Sequence, residues 1–187
     1  MDADDYMTYE EFGRKFFEVA VTEDRVGGAI GAIAGDSFEM GPIGRGPGKI
    51  AKVTAKVRIM EPRITRQVGE MITFAIRIPL EIDMVVDLRI DRPKFMVFGE
   101  IALRATARAA APLLLILDVE KPRSSDISIH VTSKSLRAEV IRVLGGIDAE
   151  IRRFIAAHVS GEIDSPASKT AKIIDVADRL DAAWTGI

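Results

Sequence analysis

Residues Met71–Asp91, MITFAIRIPLEIDMVVDLRID, decide how this chain folds. Every even position from Ile72 to Ile90 is apolar, whereas the odd positions include threonine, arginine, glutamate and aspartate. An alternation of period two predicts a β-strand with one buried face. At about 3.3 Å per residue, a straight strand of this length would span roughly 60 Å. A domain of this size has a radius of gyration of only about 16 Å. We therefore expect the strand to bend.

The phase of this alternation indicates one long strand. A hairpin loop of two or four residues joins residues of opposite parity, so the apolar positions should change parity across such a loop. They do not change between Ile72 and Ile90. Pro79 lacks a backbone donor, which predicts a bend at an edge or a bulge. A three-residue loop near Leu80–Ile82 is the main alternative.

The parity changes at Asp91–Lys94, where we expect a turn. A four-residue loop there predicts a hairpin with a second strand, Phe95–Ala111, and pairs Ile90 with Phe95.

This register also predicts cross-strand neighbours. On the outer face Glu81 would oppose Arg104 favourably, whereas Arg77 would oppose Arg108 unfavourably, which predicts a break near Pro79. On the inner face three bulky residues would face three alanines: Leu80, Ile78 and Ile76 opposite Ala105, Ala107 and Ala109. The space above the alanines would be filled by a helix or by a ligand.

Two short helices are predicted before the strands. Thr8 and Glu11 form a capping box that begins an amphipathic helix over residues 8–21. Thr22 is the predicted N-cap of a second helix, which would continue to Ala34 and end at Gly35.

Further strands and helices follow from the same two periods. Ala51–Ile59 alternates as a strand with a basic outer face, and Ile127–Val131 forms a last short strand. The connection after Glu61-Pro62 is expected to extend to about Val68. A period of 3.6 predicts a long helix over about Leu136–Ile163, and a final helix follows Pro166.

These elements predict an α+β fold in which a long bent antiparallel β-sheet packs against a long C-terminal helix, with short N-terminal helices. We find no internal repeat or linker and expect a single domain over residues 1–187.

The composition limits the classes of function. The chain has 48% apolar residues, 29% charged residues, a net charge of −2 and no cysteine. Balanced charge argues against nucleic acid as the main partner, and the lack of cysteine excludes disulfides. The acidic N-terminus does not have the pattern of a secretory signal, and no uncharged run approaches the roughly 20 residues of a membrane span. We expect a soluble, cytoplasmic protein without a transmembrane segment, for which transient membrane contact stays open.

No stretch carries a catalytic motif. GRGPGK at residues 44–49 lacks the Ser or Thr of a phosphate-binding loop, because Ile50 follows Lys49. For the glycine- and proline-rich residues 35–48 an irregular loop or short edge strand is the favoured interpretation. His130 and His158 have no acid in a metal-ligating pattern, and Glu81, Asp83 and Asp87 are expected to be solvated. We expect no cofactor, no metal and a binding function in preference to catalysis.

Three segments resemble the tubular lipid-binding superfamily: IPLEIDMVVDLRIDRP, FGEIALRATARAAAPLLLILDV and LRAEVIRVLGGIDAEIRRFIAAHV. The resemblance implies non-catalytic binding or carriage of a lipid or other long apolar molecule, held in a hydrophobic cavity between the sheet and the long helix. Together with the alanine-lined half of the sheet, it predicts these ligand-binding residues: Phe74, Ile76, Ile78, Leu80, Ile82, Leu103, Ala105, Ala107, Ala109, Val140, Leu144 and Ile151.

Two other functions are compatible with the same pattern. A helix-grip domain similar to the START and polyketide-cyclase group also wraps a sheet around a long helix, and it binds or cyclises apolar substrates. A non-enzymatic protein-interaction module would fill the sheet with its own helices.

Overall fold

The computed structural model of the protein describes residues 6–34, 37–45, 51–88, 90–131 and 138–185, with the backbone alone at 32–34, 45, 131, 138–144 and 185. The GRGPGK loop from Gly46, the predicted helix stop at Gly35 and the predicted helix start at Leu136 lie outside the described residues. The helices are α1 (Tyr9–Ala20), α2 (Glu23–Ala34), α3 (Ala138–Asp164), α4 (Pro166–Ala171) and α5 (Val176–Thr185). The strands are β1 (Ser37–Arg45), β2 (Ala51–Ile59), β3 (Arg63–Val68), β4 (Ile72–Asp87), β5 (Lys94–Ala110), β6 (Leu114–Val119), β7 (Ile127–Val131) and β8 (Ile173–Asp175).

The described strands form one eight-stranded antiparallel sheet that is strongly curled into a half-barrel. The strand order is β1-β2-β4-β5-β6-β8, with β3 also paired to β4 and β7 also paired to β5. The long β4–β5 hairpin therefore lies at the centre of the sheet. On its other side β4 pairs with β2 and β3, and β5 pairs with β6 and β7. The predicted α+β class, with a curled antiparallel sheet, a C-terminal helix and short N-terminal helices, is confirmed.

β4 is a single strand of 16 residues, as its unbroken alternation predicts. Pro79 lies where β4 changes partner, because β2 ends with Ile59 opposite Leu80 and β3 begins with Arg63 opposite Arg77. The N–H and C=O of a strand residue point to the same side, and the Pro79 carbonyl accepts a hydrogen bond from the Met60 N–H at 2.9 Å. The missing donor thus faces the β2–β3 connection, and the proline removes no hydrogen bond from the ladder.

The predicted register of the β4–β5 hairpin is wrong. Met84, not Ile90, lies opposite Phe95, and the Leu88 N–H donates to the Asp91 carbonyl at 2.9 Å. The pairing continues through Pro79 opposite Glu100 without the predicted break. The displacement is an even number of residues, so the paired residues of β4 and β5 keep their predicted faces. Ile90, predicted on the buried face, is 99% exposed beyond the end of β4.

The true register changes which inner-face residues meet. Leu80 lies opposite Gly99, and Ile78 and Ile76 lie opposite Ile101 and Leu103 in place of the predicted alanines.

Gly99 allows a close approach between β5 and β7. A Cβ atom at Gly99 would lie 2.8 Å from the backbone oxygen of Ser128 on β7. Only glycine fits there without a shift in the neighbouring strand.

The predicted outer-face charge pairs are also wrong. Glu81 lies opposite Phe98, and its carboxylate contacts Arg58 of β2 at 3.1 Å. Arg77 lies opposite Ala102, not Arg108, and its guanidinium contacts Glu100 at 3.1 Å.

The core lies between the inner face of the sheet and the helices α2 and α3. Even residues of β4 meet Val26 and Ile30 of α2 and Ile147 and Ile155 of α3 in one buried cluster. Burying a large aliphatic side chain contributes about 1.5–3 kcal/mol. The alternation of period two on β4 and of period 3.6 on the helices therefore generates a common apolar interior.

Of the loop and the short edge strand predicted for the glycine- and proline-rich segment, the structure has the strand: residues 37–45 form the edge strand β1, which bulges between Met40 and Ile43, with Gly41 at φ 102°. Two other predicted segments differ from the structure. The connection after Pro62 contains strand β3. The final helix is divided into α4, β8 and α5, because Ile174 pairs with Leu115 on β6 and ends the helical path.

Candidate functional site

The structure brings most of the predicted ligand-binding residues into the buried core. Those residues are Phe74, Ile76, Ile78, Leu80, Ile82, Leu103, Ala105, Ala107 and Ile151. Ala109 is exposed near the end of β5, and Val140 and Leu144 lie in the part of α3 whose side chains are not described. The role of these residues in ligand binding stays a prediction.

A groove of about 440 Å³ lies between α1 and the end of the sheet at which β5 carries alanines. We call it the α1 groove. Phe17 of α1 lines one side, and Ile72, Ala107 and Ala109 line the other. Met71, in the turn between β3 and β4, also lines the groove. Small-molecule sites commonly measure about 300–1,000 Å³, and the volume of the α1 groove lies within that range. Its lining combines apolar side chains with five charged residues: Glu10, Arg14, Glu18, Glu70 and Arg108.

The small side chains of β5 make room for this groove. Ala107 is buried and Ala109 is exposed, so the sheet opens to solvent between these two positions. Both also have bulky partners on β6, since Ala107 pairs with Leu117 and Ala109 with Leu115. A larger residue at either position would project into the groove.

Helix α1 covers the groove but is not itself part of the core. None of its residues is buried. Phe12 is 58% exposed and Val19 is 69% exposed, although both belong to the apolar stripe of this amphipathic helix. Phe17 is turned about 140° from Phe12 at 3.6 residues per turn, and it is half-buried against the sheet. Phe12 and Val19 therefore face away from the core, whereas Phe16, Phe17 and Ala20 pack against it.

Two arginines hold the C-terminal end of α1. The Arg66 guanidinium on β3 donates to the carbonyls of Glu18 and Val21 at 2.8 and 3.0 Å. Arg25 on α2 donates to the carbonyls of Val19 and Ala20 at 3.1 and 2.9 Å. Cations at a helix C-terminus also interact favourably with the helix dipole.

The N-terminal end of α1 is capped by its own residues. The predicted capping box is present: the Glu11 N–H donates to the Thr8 hydroxyl at 3.2 Å, and the Thr8 N–H donates to the Glu11 carboxylate at 2.9 Å. The Thr8 N–H and the Thr8 hydroxyl both donate to the Glu11 carboxylate, and these hydrogen bonds lower the pKa of Glu11 below its ordinary value. The cap is local, whereas the opposite end of the helix is bonded to β3 and α2.

The rim of the α1 groove is charged. Glu10 and Arg14 of α1 contact each other at 3.5 Å, and Arg108 of β5 contacts Asp118 at 2.8 Å. An apolar floor with charged groups at the opening can hold a long apolar molecule whose polar end stays in water.

The histidines occupy ordinary structural positions. His130 is exposed, as predicted, and lies opposite Phe98 on the outer face. His158 of α3 stacks on Phe38 of β1 with ring centroids 3.9 Å apart, which fastens the helix to the edge of the sheet. Within the described ranges, no group of three or more histidine and acidic side chains could hold a metal ion.

The carboxylates of the outer face are positioned opposite cations. Glu81 and Asp83 contact Arg58 at 3.1 and 3.2 Å, and Asp87 contacts Arg92 at 2.9 Å. These contacts are those of a solvated, charge-paired sheet face.

Some residues of the α1 groove were not among the predicted site residues, notably Gly13, Phe17 and Met71. One sequence signal could have indicated Phe17: together with Ala20 it widens the apolar stripe formed by Phe12, Phe16 and Val19. A wide apolar stripe on a short helix indicates more than one neighbour.

No protein-family model and no curated protein matches this chain. Among the residues that the structure describes, no helix is long and apolar enough to cross a membrane.

Proposed function

We propose that this protein binds a lipid, or another long apolar molecule, without catalysis, and that the apolar chain enters through the α1 groove. The curled sheet with helices on its inner face is compatible with a lipid-binding fold. The resemblance of three segments to the tubular lipid-binding superfamily supports the same class.

The observation that carries the proposal is the incomplete burial of α1 above the α1 groove. A helix of 12 residues is marginal alone in water, and none of the α1 residues is buried. An acyl chain between Phe17 and Ala107 would supply apolar contact to both surfaces. Because α1 is held at its C-terminal end, its N-terminal end can move to admit the chain.

The proposal differs from the sequence expectation in the position of the ligand. Ile76, Ile78 and Ile82 are at most 1% exposed and already pack in the core. A ligand at those residues would have to displace α2 or α3. A ligand beside Ala107 and Ala109 would displace only α1.

Native mass spectrometry after mild extraction tests the proposal. We expect the purified protein to carry an apolar molecule, and we expect added oleate to raise its melting temperature by preferential binding to the folded state. A protein that carries nothing and whose melting temperature oleate does not change would refute the lipid-binding function.

The filled centre of the sheet favours a second candidate, a non-enzymatic protein-interaction module. Its core needs no ligand, because α2 and α3 supply the apolar contacts to β4. Under this function the exposed stripe of α1, which includes Phe12 and Val19, would contact a protein partner. Substituting both residues by serine would abolish partner binding but leave oleate binding unchanged.

A further inference from the structure

The outer face of the sheet carries a second groove, of about 820 Å³, where β4 and β5 meet the connection after β6. We call it the basic groove. Arg77, Arg104, Lys121 and Arg123 line it. It shares no residue with the α1 groove.

The register of β4 and β5 places two arginines and two alanines at the corners of a square. Arg77 lies opposite Ala102, and Arg104 lies opposite Ala75. Diagonal neighbours on such a pair have Cβ atoms about 7–8 Å apart, within reach of long side chains. Because the alanines do not fill the other two corners, one ligand group can approach the sheet between the two guanidinium groups.

Two of the four cations are already paired with carboxylates. Arg77 contacts Glu100 at 3.1 Å, and Lys121 contacts Asp164 at 2.6 Å. The Lys121 ammonium also lowers the pKa of Asp164.

The other two cations have no such partner. Among the described residues, no carboxylate contacts the guanidinium groups of Arg104 and Arg123, and both residues are exposed. The negative charges at the groove are Glu120 and Asp126, and the Asp126 carboxylate accepts the backbone N–H of Arg123 at 2.8 Å.

Other cations on the outer face of the sheet do lie opposite carboxylates of a neighbouring strand. Each cation of β2 lies opposite a carboxylate of β4: Lys52 opposite Asp87, Lys56 opposite Asp83 and Arg58 opposite Glu81. The β2 cations therefore belong to a charge-matched sheet face. Arg104 lies opposite Ala75 on β4, and on its other side the Glu120 N–H donates to the Arg104 carbonyl at 2.9 Å. Among the described residues no carboxylate, including that of Glu120, contacts the Arg104 guanidinium, so its charge is available to a ligand.

We propose that the basic groove binds a phosphate monoester, with Arg104 and Arg123 as its principal ligands and Arg77 as an additional donor. The planar guanidinium group matches phosphate oxygens in a bidentate geometry. A monoester carries about −1.5 to −2 charges near pH 7, which matches two uncommitted arginines better than a single carboxylate does. The monoester can belong to a soluble metabolite or to a lipid headgroup.

Calorimetric titration with glycerol 3-phosphate, at constant ionic strength, tests the soluble source. Sedimentation with phosphatidylcholine vesicles, with and without phosphatidic acid, tests the lipid source. Binding in either experiment that is lost in Arg104→Gln supports the proposal and identifies the source. A protein that binds neither glycerol 3-phosphate nor phosphatidic acid vesicles overturns the proposal.

Matched variants distinguish a specific phosphate-binding site from non-specific electrostatic attraction between the protein and the phosphate group. Arg104→Gln and Arg123→Gln should each weaken binding by at least about tenfold, since each removes a charge-assisted contact. Lys56→Gln removes the same charge from β2 and should leave binding unchanged.

Glu120→Gln removes a competing carboxylate and should strengthen binding. Circular dichroism verifies the fold of each variant. Equal weakening by Lys56→Gln and Arg104→Gln would overturn the proposal.

Discussion

The two halves of the β4–β5 hairpin share one alternation but have different neighbours. In the half nearer the β4–β5 turn, bulky residues face each other: Ile82 faces Val97, and Ile78 faces Ile101. Helices α2 and α3 cover these residues. In the other half Phe74 faces Ala105, and the alanines of β5 continue to the exposed Ala109. Alternation therefore specifies which face is buried, whereas side-chain volume determines whether that face is closed or leaves a groove.

The largest expected effect comes from the same truncation in each half. Ile78→Ala should lower the free energy of unfolding by about 2–5 kcal/mol, because it leaves a cavity in a closed core. Ile72→Ala, at the edge of the α1 groove, should cost less, because solvent and α1 can occupy the vacated space. Urea unfolding of both variants measures the difference. Equal losses would mean that the two halves are equally closed.

A smaller effect is expected from the two sides of α1. Phe17→Ala should lower the free energy of unfolding by about 1 kcal/mol, since roughly half of a phenylalanine side chain loses its apolar contacts. Phe12→Ala removes a side chain that is 58% exposed and should change stability by less than about 0.5 kcal/mol. Thermal and urea unfolding measure both variants. A larger loss for Phe12→Ala would show that the stripe of α1 has a partner in the folded protein.

The smallest expected effect is the pH dependence of the N-terminal end of α1. The pKa of Glu11 is lowered in the folded protein by hydrogen bonds from Thr8. The cap is therefore fully formed above the ordinary pKa of about 4.5, and it is lost as the pH falls through the lower, folded-state pKa. Amide hydrogen exchange across α1 should accelerate in that range, after correction for intrinsic rates.

Thr8→Ala is the control for the pH experiment. It removes the hydroxyl of the capping box and should make exchange in α1 faster at neutral pH and less dependent on acidification. Unchanged exchange in β4 would show that the effect is confined to the helix. A wild-type α1 whose exchange is insensitive to acid would contradict this description of the cap.

The elements with strong local periodicity could be predicted from the sequence. The alternation identified β2, β4 and β7, and Thr8 with Glu11 identified the beginning of α1. The register of the hairpin could not be obtained in the same way. Any even displacement preserves parity, so the alternation cannot separate a register with Met84 opposite Phe95 from one with Ile90 opposite Phe95.

The missed strands depend on contacts distant in sequence. β3, RITRQV, has only two apolar residues and forms by pairing with the N-terminal half of β4. β8 has three residues and forms by pairing with β6. Neither segment has enough periodicity of its own, so the pairing partner decides the structure.

The candidate site was predicted in part. The alanines of β5 indicated spare volume, and Ala107 and Ala109 do line the α1 groove. Volume alone did not indicate which part of the hairpin the helices would fill. That depends on the register and on where α1 docks, through Arg66 and Phe17, neither of which the alternation specifies.

The most direct test of the account compares two neighbouring alanines of β5. Ala109 lines the α1 groove, whereas the next residue, Ala110, is exposed and does not. Native mass spectrometry with added oleate should show that Ala109→Trp loses the bound molecule and that Ala110→Trp retains it, with both variants folded. Retention of oleate by Ala109→Trp at the wild-type level would contradict the account.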